Sequence, residues 1–218
     1  MRGQEAAARS ASRVSKYFAN EQNRSVIKFI NLKQSSRALS AFNSFRSQGL
    51  RPTQITYSKL IHAFSQQGFL QEAEKLFCSM EEDGYDPNII VYSSLINGLA
   101  SNAKMTKARA TFDRMISAGI PSNAVIFNTL IRGYSATGDM KQAEETLQLM
   151  RSENITPDIF TYNILINGYT GTGNLKMAVL YVHVLCCSFM LIHVDFLVKQ
   201  KRSRQRTFVG MFIHILLL

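Results

Sequence analysis

Small polar residues recur along this 218-residue chain at intervals of 35 residues, and their side chains offer hydrogen-bonding chemistry. An asparagine amide can both donate and accept a hydrogen bond, a serine hydroxyl can rotate to do either, and an ionised aspartate only accepts. This chemistry suits hydrogen bonding to a polar ligand. The two recurring series are Ser58, Ser93, Asn128 and Asn163, and Asn88, Asn123 and Asp158.

No catalytic constellation accompanies these residues in the sequence. The His-x-Glu and Cys-x-x-Cys pairing of zinc deaminases, the P-loop, the G-x-S-x-G elbow and the clustered aspartates of a metal nuclease do not occur. The three cysteines, Cys78, Cys186 and Cys187, form neither a disulfide framework nor a zinc-ligand spacing. We therefore predict a protein that is not an enzyme and that uses no metal or cofactor.

Apolar residues at helical spacing predict the elements that carry the polar series. With Gln54 as position 1 of a 35-residue unit, positions 4, 7, 8 and 11 are aliphatic or aromatic in every unit. This spacing marks one face of an α-helix. A small or turn-forming residue at position 15 ends that helix, and a second helical pattern follows at positions 17, 20, 24 and 27. In the repeat 54–88 the apolar residues of the first helix are Tyr57, Leu60, Ile61 and Phe64.

Each unit is thus predicted to be a helical hairpin that must stack on its neighbours to bury its apolar faces. All four prolines lie just before a new unit, where they stop helix continuation. The predicted class is an all-α, right-handed superhelical solenoid of antiparallel helix pairs. The predicted domains are a basic tail at 1–18, a solenoid at 19–185 and a divergent hydrophobic and basic tail at 186–218. The solenoid divides into repeats 19–53 (degenerate), 54–88, 89–123, 124–158 and 159–185 (partial).

This unit resembles the pentatricopeptide repeat (PPR) family. The resemblance is carried by an apolar residue at position 2, then Tyr-Asn/Ser-x-Leu-Ile, then Gly, Ala, Phe, Met, Gly and Pro, with Asn or Asp at position 35. It covers residues 19–185 and is most specific over 54–178. A tetratricopeptide array has a 34-residue period, with Trp and Leu-Gly cues that this chain lacks.

The resemblance implies single-stranded RNA binding with one nucleotide per repeat. In the family, positions 5 and 35 hydrogen-bond the base edge, and the apolar residues at position 2 sandwich the base. Carried over, the pairs Ser58 with Asn88 and Ser93 with Asn123 favour adenine, Asn128 with Asp158 favours uracil, and Asn163 favours a pyrimidine. The expected footprint is A-A-U-pyrimidine, and Asn23 and Thr53 of the degenerate repeat are not decoded. The expected base-sandwiching residues are Ile55, Ile90, Val125 and Phe160.

The charge is unevenly distributed. The chain has a net charge of +10, but residues 54–158 hold 9 basic and 12 acidic residues. Position 13, where family members often carry a cation that meets phosphate, is Gln66, Ser101, Ala136 and Gly171. We therefore expect weak attraction to the RNA backbone. Lys59 and Arg132 are the best basic candidates inside the repeats.

The leading functional hypothesis is a sequence-preferring RNA-binding adaptor in organellar RNA processing, editing, splicing, stability or translation. The alternative is a helical-repeat scaffold that binds another polypeptide. The aromatic series that begins at Tyr57 lies on the apolar stripe, so we expect it in the core and not stacked on RNA.

The two ends of the chain carry separate expectations. Residues 1–18 are rich in Ala, Arg and Ser, which is typical of a mitochondrial or chloroplast transit peptide. The alternatives are a plain basic tail of a cytoplasmic protein or a start inside a longer one. The apolar run 178–198 could be a membrane anchor, a non-native tail or a divergent capping helix. Asp195 within it argues against a membrane span.

Overall fold

The computed structural model describes residues 20–186, and all regular structure in that range is α-helical, which confirms the predicted class. The described residues fall into two compact units, divided between Pro157 and Asp158. The predicted tail 1–18, and residues 187–218 of the predicted C-terminal tail, lie outside the described range. The helices are α1 (20–31), α2 (Ser35–Ser47), α3 (Gln54–Gln66), α4 (Leu70–Glu82), α5 (Ile89–Ser101), α6 (Met105–Ser117), α7 (Ala124–Ala136), α8 (Met140–Ser152), α9 (Ile159–Gly171) and α10 (175–186).

In the first unit, consecutive helices pack as pairs, α3 with α4, α5 with α6 and α7 with α8. The first helices α3, α5 and α7 also lie side by side, and α4 and α6 each contact the first helix that follows. Aromatic rings hold this order together. Phe77 meets Tyr92 edge-on with ring centroids 5.2 Å apart, and Phe112 meets Phe127 at 5.4 Å. The aromatic series therefore lies in the core, as the apolar stripe predicts.

Tyr57 also ties α3 to the end of α4. Its hydroxyl donates a 2.6 Å hydrogen bond to Asp83 Oδ2. Burial, reinforced by this bond, raises the pKa of Tyr57. The phenol is therefore a neutral donor throughout the physiological range.

Glycine brings the first helices into close contact. A Cβ added to Gly98 on α5 would lie 2.7 Å from both the Cβ and the carbonyl oxygen of Ser65 on α3. A Cβ at Gly133 on α7 would overlap the Met105 side chain. The clash at Gly133 is with the flexible end of a side chain on α6, whereas the clash at Gly98 is with backbone. Gly98 therefore fixes how closely α5 approaches α3.

The end of α5 carries a residue in a conformation that favours glycine. Ala103 has φ +57°, whereas the equivalent Gly68 has φ +82°. A non-glycine residue in the left-handed region costs roughly 1–2 kcal/mol, and glycine gives back about 0.4–1 kcal/mol of that through the freedom of the unfolded chain.

We expect Ala103→Gly to raise the free energy of unfolding by about 0.5–1 kcal/mol, measured as the midpoint of urea denaturation. The matched control is Gly119→Ala, since Gly119 has φ +75° and open space where the methyl group would sit. It should lower the midpoint. A lower midpoint for Ala103→Gly would contradict the strain argument.

The second unit holds α9 and α10. The rings of Tyr169 on α9 and Tyr181 on α10 stack with centroids 5.8 Å apart. Ala178, at position 20 of the repeat and on α10, is buried. Within residues 20–186, no helix combines the length and apolar character that a membrane crossing needs. Most of the apolar run 178–198 lies outside the described range.

Candidate functional site

One side of each first helix faces away from the core. Positions 4, 7, 8 and 11 pack inward, and at 3.6 residues per turn positions 2, 5, 9 and 13 lie on the opposite side. We call these positions of α3, α5 and α7 the open face. Its residues are Ile55, Ser58, His62 and Gln66; Ile90, Ser93, Asn97 and Ser101; and Val125, Asn128, Arg132 and Ala136.

Position 2 places a row of exposed apolar side chains on the open face. Ile55, Ile90 and Val125 are 63%, 61% and 68% exposed, although each belongs to a helix whose other large apolar residues are mostly buried. In the second unit, Phe160 at the same position is 54% exposed. Exposure of four such residues at one repeat position leaves apolar surface available to a ligand.

Position 5 places small polar groups beside that row. The Ser58 hydroxyl donates to the carbonyl oxygen of Gln54 at 2.9 Å, and the Ser93 hydroxyl donates to that of Ile90 at 3.1 Å. Both serines are half-buried, and a hydroxyl oxygen that donates in this way can still accept a bond from a ligand.

The two asparagines at position 5 differ from the serines and from each other. Asn163 is exposed, whereas Asn128 is only 6% exposed. In this structure Asn128 therefore presents little of its side chain to a ligand.

Position 35 has a structural role that our sequence reasoning missed. Asn88 Oδ1 accepts from the backbone N–H groups of Ile90 and Val91 at 3.1 and 3.2 Å, and Asn123 Oδ1 accepts from that of Ile126 at 3.0 Å. These residues are the N-caps of α5 and α7. Asp158 caps α9 in the same way, through Thr161 at 2.8 Å. An Asn or Asp directly before a helical apolar pattern is an N-cap signature and could have shown this role.

The cap also determines which group position 35 offers. When the amide oxygen of Asn88 or Asn123 accepts from the helix, the remaining polar group is the amino group, which can only donate. An aspartate in the same geometry has no proton and can only accept. A capped position 35 can therefore discriminate a ligand acceptor from a ligand donor.

Position 9 links neighbouring first helices. His62 Nδ1 lies 3.0 Å from Ser94 Oγ on α5, and Arg132 Nη2 donates to Asn97 Oδ1 at 3.1 Å. These contacts join α3 to α5 and α5 to α7. They hold the open faces of adjacent repeats in register.

The degenerate repeat uses its equivalent residues internally. Asn23 is buried, and its Oδ1 accepts from the backbone N–H of Thr53 at 3.2 Å and from the hydroxyl of Thr56. Thr53 in turn caps α3. These contacts give a physical reason not to assign a base to Asn23 and Thr53.

The acidic residues of the repeats lie away from the open face. α3, α5 and α7 contain no Asp or Glu, and they carry Lys59 and Arg132. Acidic side chains of α4 instead bridge to the next repeat. Glu74 pairs with Lys107 at 2.8 Å, and Glu81 pairs with Arg114 at 2.6 Å. The negative balance of residues 54–158 therefore does not describe the open face.

Residues 20–186 contain no group of three or more His, Cys, Asp or Glu side chains that could hold a metal ion. The open face offers apolar contact, hydrogen bonds and one arginine, which is the chemistry of binding.

Sequence comparison links the chain to a described family. The model of the PPR repeat family matches residues 52–101 and 122–171, and the model of the PPR repeat matches residues 90–120 and 160–185. A search of curated proteins found no significant match.

Solved structures share this fold. The PPR protein PPR10 from maize superposes with a TM-score of 0.68 at 22% identity, over 77% of this chain and 23% of PPR10. The chain thus spans about a quarter of PPR10. The PPR domain of protein-only RNase P 1 from Arabidopsis thaliana, solved with tRNA, gives a TM-score of 0.66 at 15% identity, over 90% of this chain and 96% of that domain. PPR10 has also been solved with an 18-nt psaJ RNA element, and that structure gives a TM-score of 0.63 at 24% identity.

Proposed function

Because this chain belongs to the PPR repeat family, we propose that it binds single-stranded RNA along the open face of its first helices. The observation that carries the proposal is the row of exposed apolar residues at position 2, flanked by small polar residues whose hydrogen bonds fix their orientation. The structures of PPR10 with an RNA element and of the RNase P 1 domain with tRNA support it by analogy.

In the proposed mechanism, apolar contact and hydrogen bonding have separate tasks. The position-2 side chains pack on the faces of successive bases, which requires no particular base. The hydroxyl of Ser58 or Ser93 can accept from the N6 amino group of adenine. The amino group of Asn88 or Asn123 can donate to adenine N1.

The same logic accounts for the uracil preference of an aspartate. Uracil carries an N3–H donor where adenine has the N1 acceptor, so a capping carboxylate matches uracil and a capping amide matches adenine. We propose the footprint A-A-U-pyrimidine, with Asp158 and the two asparagines Asn128 and Asn163 contributing the last two preferences. The exposed Asn163 is ready for contact, whereas Asn128 must turn outward to reach a base.

The affinity of this chain alone should be modest. Base contacts contribute roughly 1–3 kcal/mol each, so four bases give about 4–12 kcal/mol against an association cost of about 4–15 kcal/mol. We propose a non-catalytic adaptor that acts in organellar RNA processing, editing, splicing, stability or translation together with further repeats or a partner. Mitochondrion or chloroplast is the proposed location, supported by the composition of residues 1–18.

A competition assay tests the proposal. A labelled single strand that contains AAU followed by a pyrimidine is bound to the protein and displaced by an unlabelled strand of the same or scrambled sequence. We expect the matched strand to compete several-fold better. Equal competition would contradict base reading, and no binding of either strand would favour a polypeptide as the ligand.

A further inference from the structure

Arg132 is the only lysine or arginine on the open face of α3, α5 and α7. It occupies position 9 of α7 and is exposed. Positions 9 and 13 lie about one turn apart on the same side of a helix. Position 13 of this helix is Ala136, which carries no charge. A long arginine side chain at position 9 can therefore reach a ligand group that lies near position 13.

The side-chain partner of Arg132 is a neutral amide, as is that of Arg37 on α2, which donates to Gln34 Oε1 at 3.2 Å. Arg46, Arg109 and Arg114 each pair with a carboxylate, at 3.4, 3.0 and 2.6 Å. Arg132 instead donates to the neutral amide of Asn97, at 3.1 Å. This bond orients the guanidinium and uses one of its five N–H donors, but it does not neutralise the charge. An oriented and uncompensated arginine is suited to an anion.

The position of this arginine also indicates which anion it would meet. The Asn97 contact extends Arg132 from α7 toward α5, so the guanidinium lies at the junction of repeats 89–123 and 124–158. We propose that Arg132 binds the RNA phosphate that joins the nucleotides held by these two repeats, a contact that supplies affinity without base preference. This inference rests on the proposed RNA binding and adds a phosphate site to it.

The test is the salt dependence of RNA binding. The logarithm of the association constant is plotted against the logarithm of the salt concentration for wild type, Arg132→Gln, Arg132→Lys and Lys141→Gln. For a single strand, each neutralised phosphate contributes a slope of about 0.7. Arg132→Gln should reduce the slope by about 0.7 and lower the affinity by a similar factor for AAU and scrambled strands. Arg132→Lys should keep the wild-type slope.

Lys141→Gln is the matched control, because Lys141 is exposed on α8, away from the open face, and its loss changes the net charge equally. It should leave the slope unchanged. A second arm leaves the protein intact and replaces the phosphate between the second A and the U by a neutral methylphosphonate. Wild type should then lose about the same slope, even if Arg132→Gln does not fold.

The outcomes separate this inference from the proposed function. If wild type binds and Arg132→Gln keeps its slope, or loses affinity with an unchanged slope, Arg132 only positions α5 against α7 and the inference is overturned. An unaltered slope with the methylphosphonate strand also overturns it. If wild type binds no single strand at any salt concentration, the proposed function itself fails and the phosphate site fails with it.

Discussion

Replacement of Ile55, Ile90 and Val125 by alanine is expected to abolish most RNA binding while the fold is retained. Each of these side chains is more than 60% exposed, so the protein loses little buried surface when it is shortened. Each is also a β-branched residue in the first turn of a helix, where alanine has the higher helix propensity. Loss of one base contact costs roughly 1–3 kcal/mol, so the triple variant should lose about 3 kcal/mol or more, which is about a hundredfold or more in affinity.

Two measurements test this prediction: the affinity for a labelled AAU strand, by fluorescence anisotropy, and the melting temperature of the protein. Ile116→Ala is the control, because Ile116 is also an exposed isoleucine, 39% exposed, but lies on α6 away from the open face. It should change neither quantity greatly. If the triple variant bound RNA as wild type does, position 2 would not be the base contact. If its melting temperature fell sharply, loss of binding would not identify a ligand surface.

The helices were predictable because burial repeats. Stacked hairpins must bury the same positions in each copy, so the stripe that includes Leu60 and Ile61 shows both the helix and its core face. The helix ends were equally predictable from the sequence, because a glycine such as Gly68 readily adopts the left-handed conformation found at position 15. Local rules of propensity and periodicity are therefore sufficient to predict the helices, their buried faces and their ends.

The candidate site was only partly predictable, because the orientation and burial of several of its side chains depend on contacts between repeats. Nothing local to Arg132 indicates that its partner is Asn97, which precedes it by 35 residues. The burial of Asn128 likewise follows from packing and not from its position in the sequence. The capping role of Asn123 is local, since an Asn directly before a helical apolar pattern indicates an N-cap. The family resemblance assigns the same residue to base contact, and the two roles are compatible.

That double role of Asn123 permits a change of base preference without a change of fold. In the variant Ser93→Asn with Asn123→Asp, the repeat 89–123 acquires the polar pair that the family resemblance associates with uracil. Aspartate caps a helix as well as asparagine does, so α7 should keep its first turn. The group offered to the ligand changes from an amino donor to a carboxylate acceptor, which matches uracil N3–H and no longer matches adenine N1.

Asn123→Ala is the matched control for this exchange. It removes the cap and should cost about 1 kcal/mol of stability. It should also weaken discrimination at the second base without creating a preference for uracil. A variant that is as stable as wild type but has the opposite preference can therefore be distinguished from one that is merely damaged.

The central measurement is the ratio of dissociation constants for two strands that differ at one base, AAU and AUU, determined for wild type and for Ser93→Asn with Asn123→Asp. We predict that wild type prefers AAU, that the variant prefers AUU, and that the ratio between them changes by about tenfold or more, equivalent to about 1.4 kcal/mol. An unchanged ratio in a variant that is folded and still binds RNA would show that positions 5 and 35 do not read the base.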